Sequence, residues 1–441
     1  METERRTPPA PVEVPKFFVC PISLEVMRDP VTLSSGITYD RDSIERWMFT
    51  DGHGDCPVTK LPLGAGDLRD PTPNHTLRRL IQAWCASHAV ERFPTPRPPV
   101  DADRVAAVVA RAGGGRREEV TAAVRELADI VGESDRNRRC VEGSPGVVEF
   151  LVSVVKKADK SQQMDSAKET SSAPEEAALN LLHSLKLSEE TLKRVLADNT
   201  GSGDDYLDTL ASVLRRWPSY WSRTYAIHLL KSALAAAPPS RLATASTELI
   251  EGVVNVVSRG TTALSPKAVK VALHVICRLC PWGRNRIRVV EAGAVPALVS
   301  LLLNEGCCCG GGGVNGTTGG KRTCELAAVA VDHLCGCAEG RQEVVAHPAG
   351  LAVLARAATR LSPAGVESAV RALHAVAKHS ATPAVLQEML AVGVVGRLLF
   401  LVQAGAAGER PRERAREMLK MHARVWRGSP CLASYLASYP C

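Results

Sequence analysis

The chain has 441 residues, of which 45% are hydrophobic and only 4% aromatic. This excludes a wholly disordered chain and favours two or three domains built mainly of helices. The formal net charge is +7, yet residues 1–100 hold 12 Lys and Arg against 13 Asp and Glu, so the positive excess is spread over the rest of the chain. We therefore predict no dedicated nucleic-acid surface and no nucleic-acid partner.

Most of the 14 cysteines lie in apolar runs such as VICRLC, which is typical of buried thiols and not of a disulfide framework. The first residues, METERRTPPAPVEVPKFF, are polar and Pro-rich, unlike a signal peptide. No apolar run approaches the roughly 18 residues of a membrane span. We therefore expect a cytoplasmic protein with reduced thiols, with the nucleus or peripheral membrane association as alternatives.

The first predicted domain, residues 14–89, contains two motifs that each begin like half of a zinc site. CPIS and CPVT place Ser23 and Thr59 where a second metal-binding cysteine would stand, and the domain has no Cys-x-x-Cys pair. We therefore predict no metal and no other cofactor. Hydrogen bonds and ion pairs are expected to bridge the loops instead, through a network of Ser23, Glu25, Asp29, Asp40, Arg41, Thr59 and Asn74.

Between the two motifs, PVTL, SSG and ITYD predict a strand, a turn and a second strand, with Gly36 free to adopt a positive φ. Asp40 or Asp42 is then expected to cap a helix that carries apolar residues on one face. After the second motif, Asn74 is expected to cap a further amphipathic helix. The domain is thus predicted to be α+β, with two loops flanking a short helix.

The rest of the chain is predicted to be helical. The Pro-rich segment at 90–100 is predicted to be a semi-rigid linker. In the region 101–430, similar segments recur after Gly146, Gly293, Gly350 and Gly393, the last two of which are 43 residues apart. This period indicates about five or six degenerate repeats of two or three helices each. Two polar or Gly-rich loop insertions are predicted, near 160–174 and near 305–322.

The segment from Asn285 to Leu302, NRIRVVEAGAVPALVSLL, resembles an armadillo repeat. This resemblance implies a right-handed armadillo-type α-solenoid after the first domain. Each repeat of a solenoid contacts only its neighbours, so the stack offers a long groove for binding, here of an unknown protein substrate. A nuclear-import type of receptor is an alternative, which the absence of a regular Trp and Asn ladder along the repeats disfavours.

The segments FVCPISLEVMRDPVTLSSGITYDRDSIERWM, CPVTKLPL and PNHTLRRLIQAWC resemble the U-box, a zinc-free relative of the RING finger. With the helical repeats behind it, the chain resembles a plant U-box ubiquitin ligase with armadillo repeats. The overall fold class is then mostly α, with a small α+β U-box followed by the solenoid. The family also implies self-ubiquitination, a U-box homodimer as one arrangement, and a role in stress or defence signalling.

The U-box resemblance implies a ligase that forms no covalent intermediate with ubiquitin. A ubiquitin-conjugating enzyme charged with ubiquitin would dock on Ile22, Leu24, Trp47 and Pro57, for which core packing is the alternative role. Lys60 would then assist transfer, with a solvated loop lysine as its alternative. Cys20 and Cys56 lack a paired His or Asp and are expected to be buried, not nucleophilic. The alternative function is an armadillo adaptor or scaffold protein without ligase activity.

Overall fold

A computed structural model describes residues 14–64, 66–67, 71–88, 100–161, 174–197, 205–304, 318–403 and 408–428. The chain divides into two units, residues 1–100 and 101–441. The predicted linker at 90–100 lies outside the described residues except for Val100. The two predicted insertions also lie mostly outside the described residues, which do not include 162–173 or 305–317.

The first unit combines a small antiparallel sheet with two helices. Its strands are β1 (Pro30–Thr32), β2 (Thr38–Asp40) and β3 (Thr72–Pro73), in the order β2-β1-β3. Helix α1 (Arg41–Glu45) continues into a π-helical turn (Arg46–Thr50), and helix α2 (His75–Ser87) follows β3. Gly36 has a φ of 80° in the turn between β1 and β2, the conformation for which glycine is suited.

The core of the first unit lies between the sheet and the two helices. Side chains on a strand alternate between its two faces, and Val31 and Tyr39, which are paired across the sheet, both point inward and are fully buried. The remaining buried core residues come from the N-terminal segment, the two loops and both helices, namely Phe18, Cys20, Met27, Leu33, Ile44, Met48, Cys56, Ile81 and Cys85. Both motif cysteines are therefore part of the core.

The second unit is helical throughout its described residues. It opens with helices Ala102–Arg111 and Arg117–Glu133, joined by a 3-10 turn. Groups of three helices then follow along the chain, and the described part closes with Ala423–Arg427. The groups are Asp135–Gly143, Val147–Ser161 and Pro174–Leu185; Glu189–Ala197, Tyr206–Arg216 and Tyr220–Ala236; Pro239–Ala243, Thr247–Ala263 and Pro266–Leu279; Gly283–Glu291, Ala294–Asn304 and Thr318–Cys335; Ala338–Ala346, Gly350–Arg360 and Pro363–His379; and Pro383–Ala391, Val394–Gln403 and Glu409–Met421.

Neighbouring groups stack through equivalent helices. The second helices of successive groups pack against one another, and so do the third helices, which form a row that runs through the unit. This arrangement buries the apolar faces of the groups between neighbours, as a solenoid requires. The predicted fold class, mostly α with a small strand-containing N-terminal domain, is confirmed.

The glycines that reveal the repeat in the sequence lie at the turn between the first and second helices of a group. Gly146, Gly293 and Gly393 each have a φ of 81° directly before the second helix. Gly350 begins its helix with ordinary φ, but a Cβ there would collide with the carbonyl of Val344. The turn therefore demands glycine for two different steric reasons.

Asn285 and Arg288 of the armadillo-like segment join one group to the next. Asn285 is fully buried, and its side-chain amide donates to the carbonyl oxygens of Leu242 (2.6 Å) and Leu279 (3.3 Å). Arg288 donates to the Ala245 carbonyl at 2.7 Å. These bonds satisfy backbone acceptors at helix ends that would otherwise lack partners.

No single helix in the described part of the chain is both long enough and apolar enough to cross a membrane. Two helix pairs reach that length and composition only when taken together. They are Gly283–Glu291 with Ala294–Asn304, bent by 70°, and Pro383–Ala391 with Val394–Gln403, bent by 66°.

Candidate functional site

The two motifs form loops with the same backbone conformation, the first at residues 19–26 and the second at 55–62. In each loop the N–H four residues after the cysteine donates to that cysteine's carbonyl, from Leu24 to Cys20 and from Lys60 to Cys56, both at 2.9 Å. Leu24 and Lys60 have φ values of 58° and 57°, which L-residues with a side chain rarely adopt. Such strain persists only where the surroundings impose it, and it concentrates at functional sites.

Asp40, at the end of β2, holds the first loop. Its carboxylate accepts hydrogen bonds from the backbone N–H groups of Arg28 (2.7 Å) and Asp29 (2.9 Å). Its own N–H points to the sulfur of Cys20 at 3.3 Å. Burial raises the pKa of Asp40, while the hydrogen bond from Arg28 opposes that rise. Asp40 occupies the N-cap position of α1, but its side chain does not cap the helix, because the loop already uses the carboxylate.

Tyr39, the preceding residue on β2, holds the second loop. Its hydroxyl is hydrogen-bonded to the Cys56 sulfur at 3.0 Å and accepts from the Val58 N–H at 3.3 Å. Ser35 also donates to the Cys56 sulfur, at 3.3 Å. Burial raises the pKa of Cys56, but hydrogen bonds from Ser35, Thr59 and Tyr39 outweigh it and bring the pKa to about 6. Because neighbouring residues on a strand point in opposite directions, one short strand anchors both loops.

A buried ionic network ties the segment that follows the first loop to both helices. Asp29 accepts from Arg41 Nε at 2.7 Å and is also paired with Arg78 of α2. Arg41 lies 3.6 Å from Glu45 one turn further along α1. Asp29 and Arg41 are each only 9% exposed, and Glu45 is 5% exposed. Buried charges of this kind are tolerated only while every partner is present.

Asn74 and Asp67 complete the polar framework of the first unit. Asn74 caps α2 by accepting from the Leu77 N–H at 3.0 Å, and its amide donates to Thr32 at 3.3 Å. Asp67 accepts from the N–H and the hydroxyl of Ser34, and from the N–H of Gly64 at 3.2 Å. Sequence reasoning missed Asp67, as well as Tyr39, Glu45 and Arg78, because each acts through a partner that is distant in the sequence.

Ser23 and Glu25 do not join this framework. Both are exposed, and their side chains make no hydrogen bond to any residue that the structure describes. Glu25 contributes only its backbone carbonyl, which accepts from the Cys20 N–H at 2.8 Å. Thr59 is also exposed, but its hydroxyl interacts with Cys56. The backbone turn and the cysteine sulfurs, and not the Ser and Thr of the two motifs, carry most of the bridging.

Both loops present apolar side chains to solvent. Leu24 is 77% exposed on the first loop, and Val58 and Leu61 are 54% and 56% exposed on the second. Ile22 and Pro57 were predicted to contact the conjugating enzyme. Both are half-buried and so less exposed than Leu24, and Ile22 packs against the core. Sequence reasoning missed Val58 and Leu61. Aligning CPISL with CPVTK would have pointed to Val58, which matches Ile22.

Trp47 and Lys60 lie together beside the second loop. Trp47 is half-buried, its indole N–H donates to the Asp55 carbonyl at 2.9 Å, and its ring stacks on His53. The Lys60 ammonium lies 5.3 Å from the centre of the Trp47 ring and 3.8 Å from the Asp55 carboxylate. The Lys60 side chain is nevertheless 65% exposed. It is thus positioned only by weak contacts.

The cysteines of the two loops are not arranged as metal ligands. Among the residues described, no three side chains of His, Cys, Asp or Glu converge on one point. Cys20 and Cys56 instead accept hydrogen bonds from the hairpin between the two loops. The two loops together offer an apolar surface with one basic side chain beside it.

The U-box domain family model matches residues 14–90, and the model of the plant U-box protein ARM repeat region matches residues 105–439. The chain is 42% identical to the E3 ubiquitin-protein ligase PUB23 of Arabidopsis thaliana, with 98% of each chain covered. It is 38% identical to the E3 ubiquitin-protein ligase PUB22 of the same plant, over 97% of this chain and 99% of that one. A designed armadillo repeat protein of known structure matches 72% of this chain and 99% of its own at 14% identity, with a TM-score of 0.33.

Proposed function

This chain belongs to the plant U-box proteins with an armadillo-repeat region, as the sequence resemblance predicts, and we propose that it is a ubiquitin-protein ligase. Its U-box docks a ubiquitin-conjugating enzyme that carries ubiquitin, and its helical repeats bind the protein substrate. Ubiquitin then passes directly from the conjugating enzyme to a lysine of the substrate or of the ligase itself. The observation that carries this proposal is the pair of equivalent loops with apolar side chains exposed at their tips.

Docking on the two loops is supported by their rigidity as well as by their exposure. The tips are fixed by backbone hydrogen bonds and by the contacts of Tyr39 and Asp40, so little conformational freedom is lost when a partner binds. Leu24, Val58 and Leu61 supply apolar anchors, and covering such side chains with a partner contributes binding free energy through the hydrophobic effect. Ile22, Pro57 and Trp47 lie behind or beside them.

Direct transfer, without ubiquitin ever being attached to the U-box, is supported by the burial of the three U-box cysteines. Cys20 and Cys56 have no exposed surface, and Cys85 is 4% exposed. A nucleophile that received ubiquitin would have to meet the thioester of the conjugating enzyme. The ligase would instead accelerate transfer by holding the charged enzyme and the acceptor lysine together. A cytoplasmic location, a U-box homodimer and a role in stress or defence signalling stay proposals.

The proposal is tested by incubating the purified full chain with ubiquitin, its activating enzyme and a panel of conjugating enzymes. We expect ubiquitin chains on the ligase itself, with no thioester-linked ubiquitin that a reducing agent would release from it. An adaptor without ligase activity would bind partners but leave ubiquitin unconjugated with every member of the panel. That result would favour the adaptor function over the ligase.

Lys60 is proposed to assist transfer more than docking. Replacing it with alanine should slow discharge of the charged conjugating enzyme onto free lysine by about tenfold, about 1.4 kcal/mol, while binding of that enzyme is nearly unchanged. Lys60→Arg should be at least as active as the native protein, because the guanidinium group offers more donors. Rates are measured with saturating conjugating enzyme.

Lys16→Ala is the matched control, since Lys16 is an exposed lysine of the same domain. It should discharge ubiquitin at the native rate. Equal rates for Lys60→Ala and Lys16→Ala would show that Lys60 is an ordinary surface lysine. A large loss of binding by Lys60→Ala would instead assign it to docking.

A further inference from the structure

Two adjacent helices of the repeat region carry positive charge without any acidic residue. Tyr220–Ala236 and Pro266–Leu279 are the third helices of consecutive groups and pack side by side. Together they contain five Lys and Arg residues and two histidines, and no Asp or Glu. On a solvated helix, basic residues are usually interspersed with acidic ones. This pair of helices departs from that pattern.

The basic side chains of these helices gather on their exposed faces. Lys231 and Lys267 are exposed, Lys270 is partly exposed, and none of the three has an ion-pair partner among the described residues. Lys267, Lys270 and His274 follow at intervals of three and four residues, so they share one helix face. On the neighbouring helix, His228 and Lys231 are three residues apart.

Basic side chains of neighbouring helices lie near the same histidines. Burial lowers the pKa of His228, and Lys231 and Lys267 lower it further. Burial likewise lowers the pKa of His274, with further contributions from Lys231 and from Arg322 of the next third helix. Lys231 thus acts on histidines of two helices. We name Lys231, Lys267, Lys270 and Arg322, together with the neutral imidazoles of His228 and His274 that lie among them, the cationic patch.

The acidic side chains around the cationic patch already have partners. Glu325 lies 3.7 Å from Arg322, and Asp332 is paired with Arg371 of the next group. On the other side, Glu176 accepts a hydrogen bond from Ser219 at 2.5 Å. Arg322 is therefore partly neutralised, whereas the lysines at the centre of the patch are not. Uncompensated like charges repel one another, and a bound anion relieves that repulsion.

Exposed aromatic side chains adjoin the cationic patch. Trp221 is 59% exposed and Tyr220 is 38% exposed at the start of the helix that carries Lys231. Trp221 stacks on Tyr225, which in turn contacts His183 of the preceding third helix. Trp221, Tyr225 and His228 recur at intervals of four and three residues, so the aromatic cluster and the patch lie along one helix face.

We propose that the cationic patch binds an acidic segment of the protein substrate, with an apolar side chain of that segment seated on the aromatic cluster. This proposal rests on the proposed function, because it names the substrate chemistry that the ligase recognises. Three packed helices with axes about 8–10 Å apart span roughly 20 Å, the length of about six extended residues. A short linear segment with closely spaced negative charges therefore fits the patch.

The test measures binding of fluorescent peptides to the full chain. The peptides have about ten residues, which is long enough to cover the span of about six extended residues. One peptide carries several glutamates and a leucine, a second has glutamine in place of glutamate, and a third has phosphoserine in place of glutamate. We expect the charged peptides to bind at least about tenfold more tightly than the glutamine peptide, and this preference should weaken as salt rises. The ratio between the two charged peptides shows whether carboxylates or phosphates are preferred.

Charge reversal at the centre of the patch should remove the preference. Lys231→Glu with Lys267→Glu should weaken binding of the acidic peptides by about tenfold or more. The matched control, Lys378→Glu with Lys420→Glu, changes the net charge equally at exposed lysines of later third helices and should bind as the native chain does. Equal binding of the acidic and glutamine peptides, or equal losses in the two double variants, would overturn the proposal.

The same variants separate this proposal from the ligase proposal. Discharge of charged conjugating enzyme onto free lysine needs no substrate, so Lys231→Glu with Lys267→Glu should discharge at the native rate. If the native chain discharges ubiquitin but shows no preference for acidic peptides, the cationic patch is not the substrate site. If the native chain fails to discharge ubiquitin, the ligase proposal fails whatever the peptides show.

Discussion

Replacing Asp29 with alanine is expected to strongly destabilise the U-box while the stability of the helical repeats is unchanged. The change leaves Arg41 and Arg78 without their shared carboxylate, and Arg41 is only 9% exposed. Removing one partner of a buried ion pair typically costs about 3–5 kcal/mol, because the remaining charge is neither solvated nor paired. A small domain has a total stability of about 5–15 kcal/mol, so this loss takes much of it.

Hydrogen–deuterium exchange of the full chain measures this loss domain by domain. Peptides from residues 14–88 should exchange about a hundredfold faster or more in Asp29→Ala, whereas peptides from residue 101 onward should be unchanged. Asp51→Ala is the matched control, because it removes the same charge from an exposed position in the same domain. Exchange in Asp29→Ala no faster than in Asp51→Ala would mean that the buried network does not stabilise the domain.

Replacing Leu24 with asparagine is expected to abolish most of the docking without unfolding the U-box. Leu24 is 77% exposed and has a φ of 58°. Asparagine is among the residues that tolerate this conformation best, so the loop should keep its shape. The lost apolar contact at the tip should weaken binding of the conjugating enzyme by about 2 kcal/mol, or about thirtyfold, the effect typical of an interface hot spot.

Titration calorimetry with a conjugating enzyme that supports chain formation measures this loss. Leu80→Asn is the matched control, because Leu80 is a 52% exposed leucine on α2, outside both loops. It should bind the conjugating enzyme as tightly as the native chain. Native affinity in Leu24→Asn would remove the first loop from the docking surface, and an equal loss in Leu80→Asn would extend that surface to α2.

The fold could be predicted from the sequence where the signals are local. Gly36 marks the turn between the strands, and Asn74 caps the helix that follows it. The recurring glycines before the second helices mark the period of the repeat, because each turn there needs a positive φ or a close backbone approach. The sequence pattern of the repeats is weaker between Gly146 and Gly293. One of their first helices, Pro239–Ala243, has five residues, whereas the first helices of the other groups have nine.

The candidate site was predicted less completely, because its geometry depends on contacts between distant residues. The sequence shows Asp40 as a helix cap, but its carboxylate binds N–H groups 11 and 12 residues earlier. Asp67 and Ser34 are 33 residues apart, and no local pattern joins them. The positive φ of Leu24 also has no signal in the sequence, since neither Gly nor Asn stands there. That conformation decides that Leu24 is exposed.

Transfer of ubiquitin from a docking surface that a metal-free U-box supplies is the step on which the proposed function rests. Its most direct test is single-turnover discharge of ubiquitin from a charged conjugating enzyme onto free lysine, with the full chain present and a strong chelator of zinc added. Metal-free docking predicts that the native chain accelerates discharge equally with and without the chelator, and that Leu24→Asn loses most of this acceleration. Discharge that the native chain does not accelerate, or that stops when the chelator is added, would contradict it.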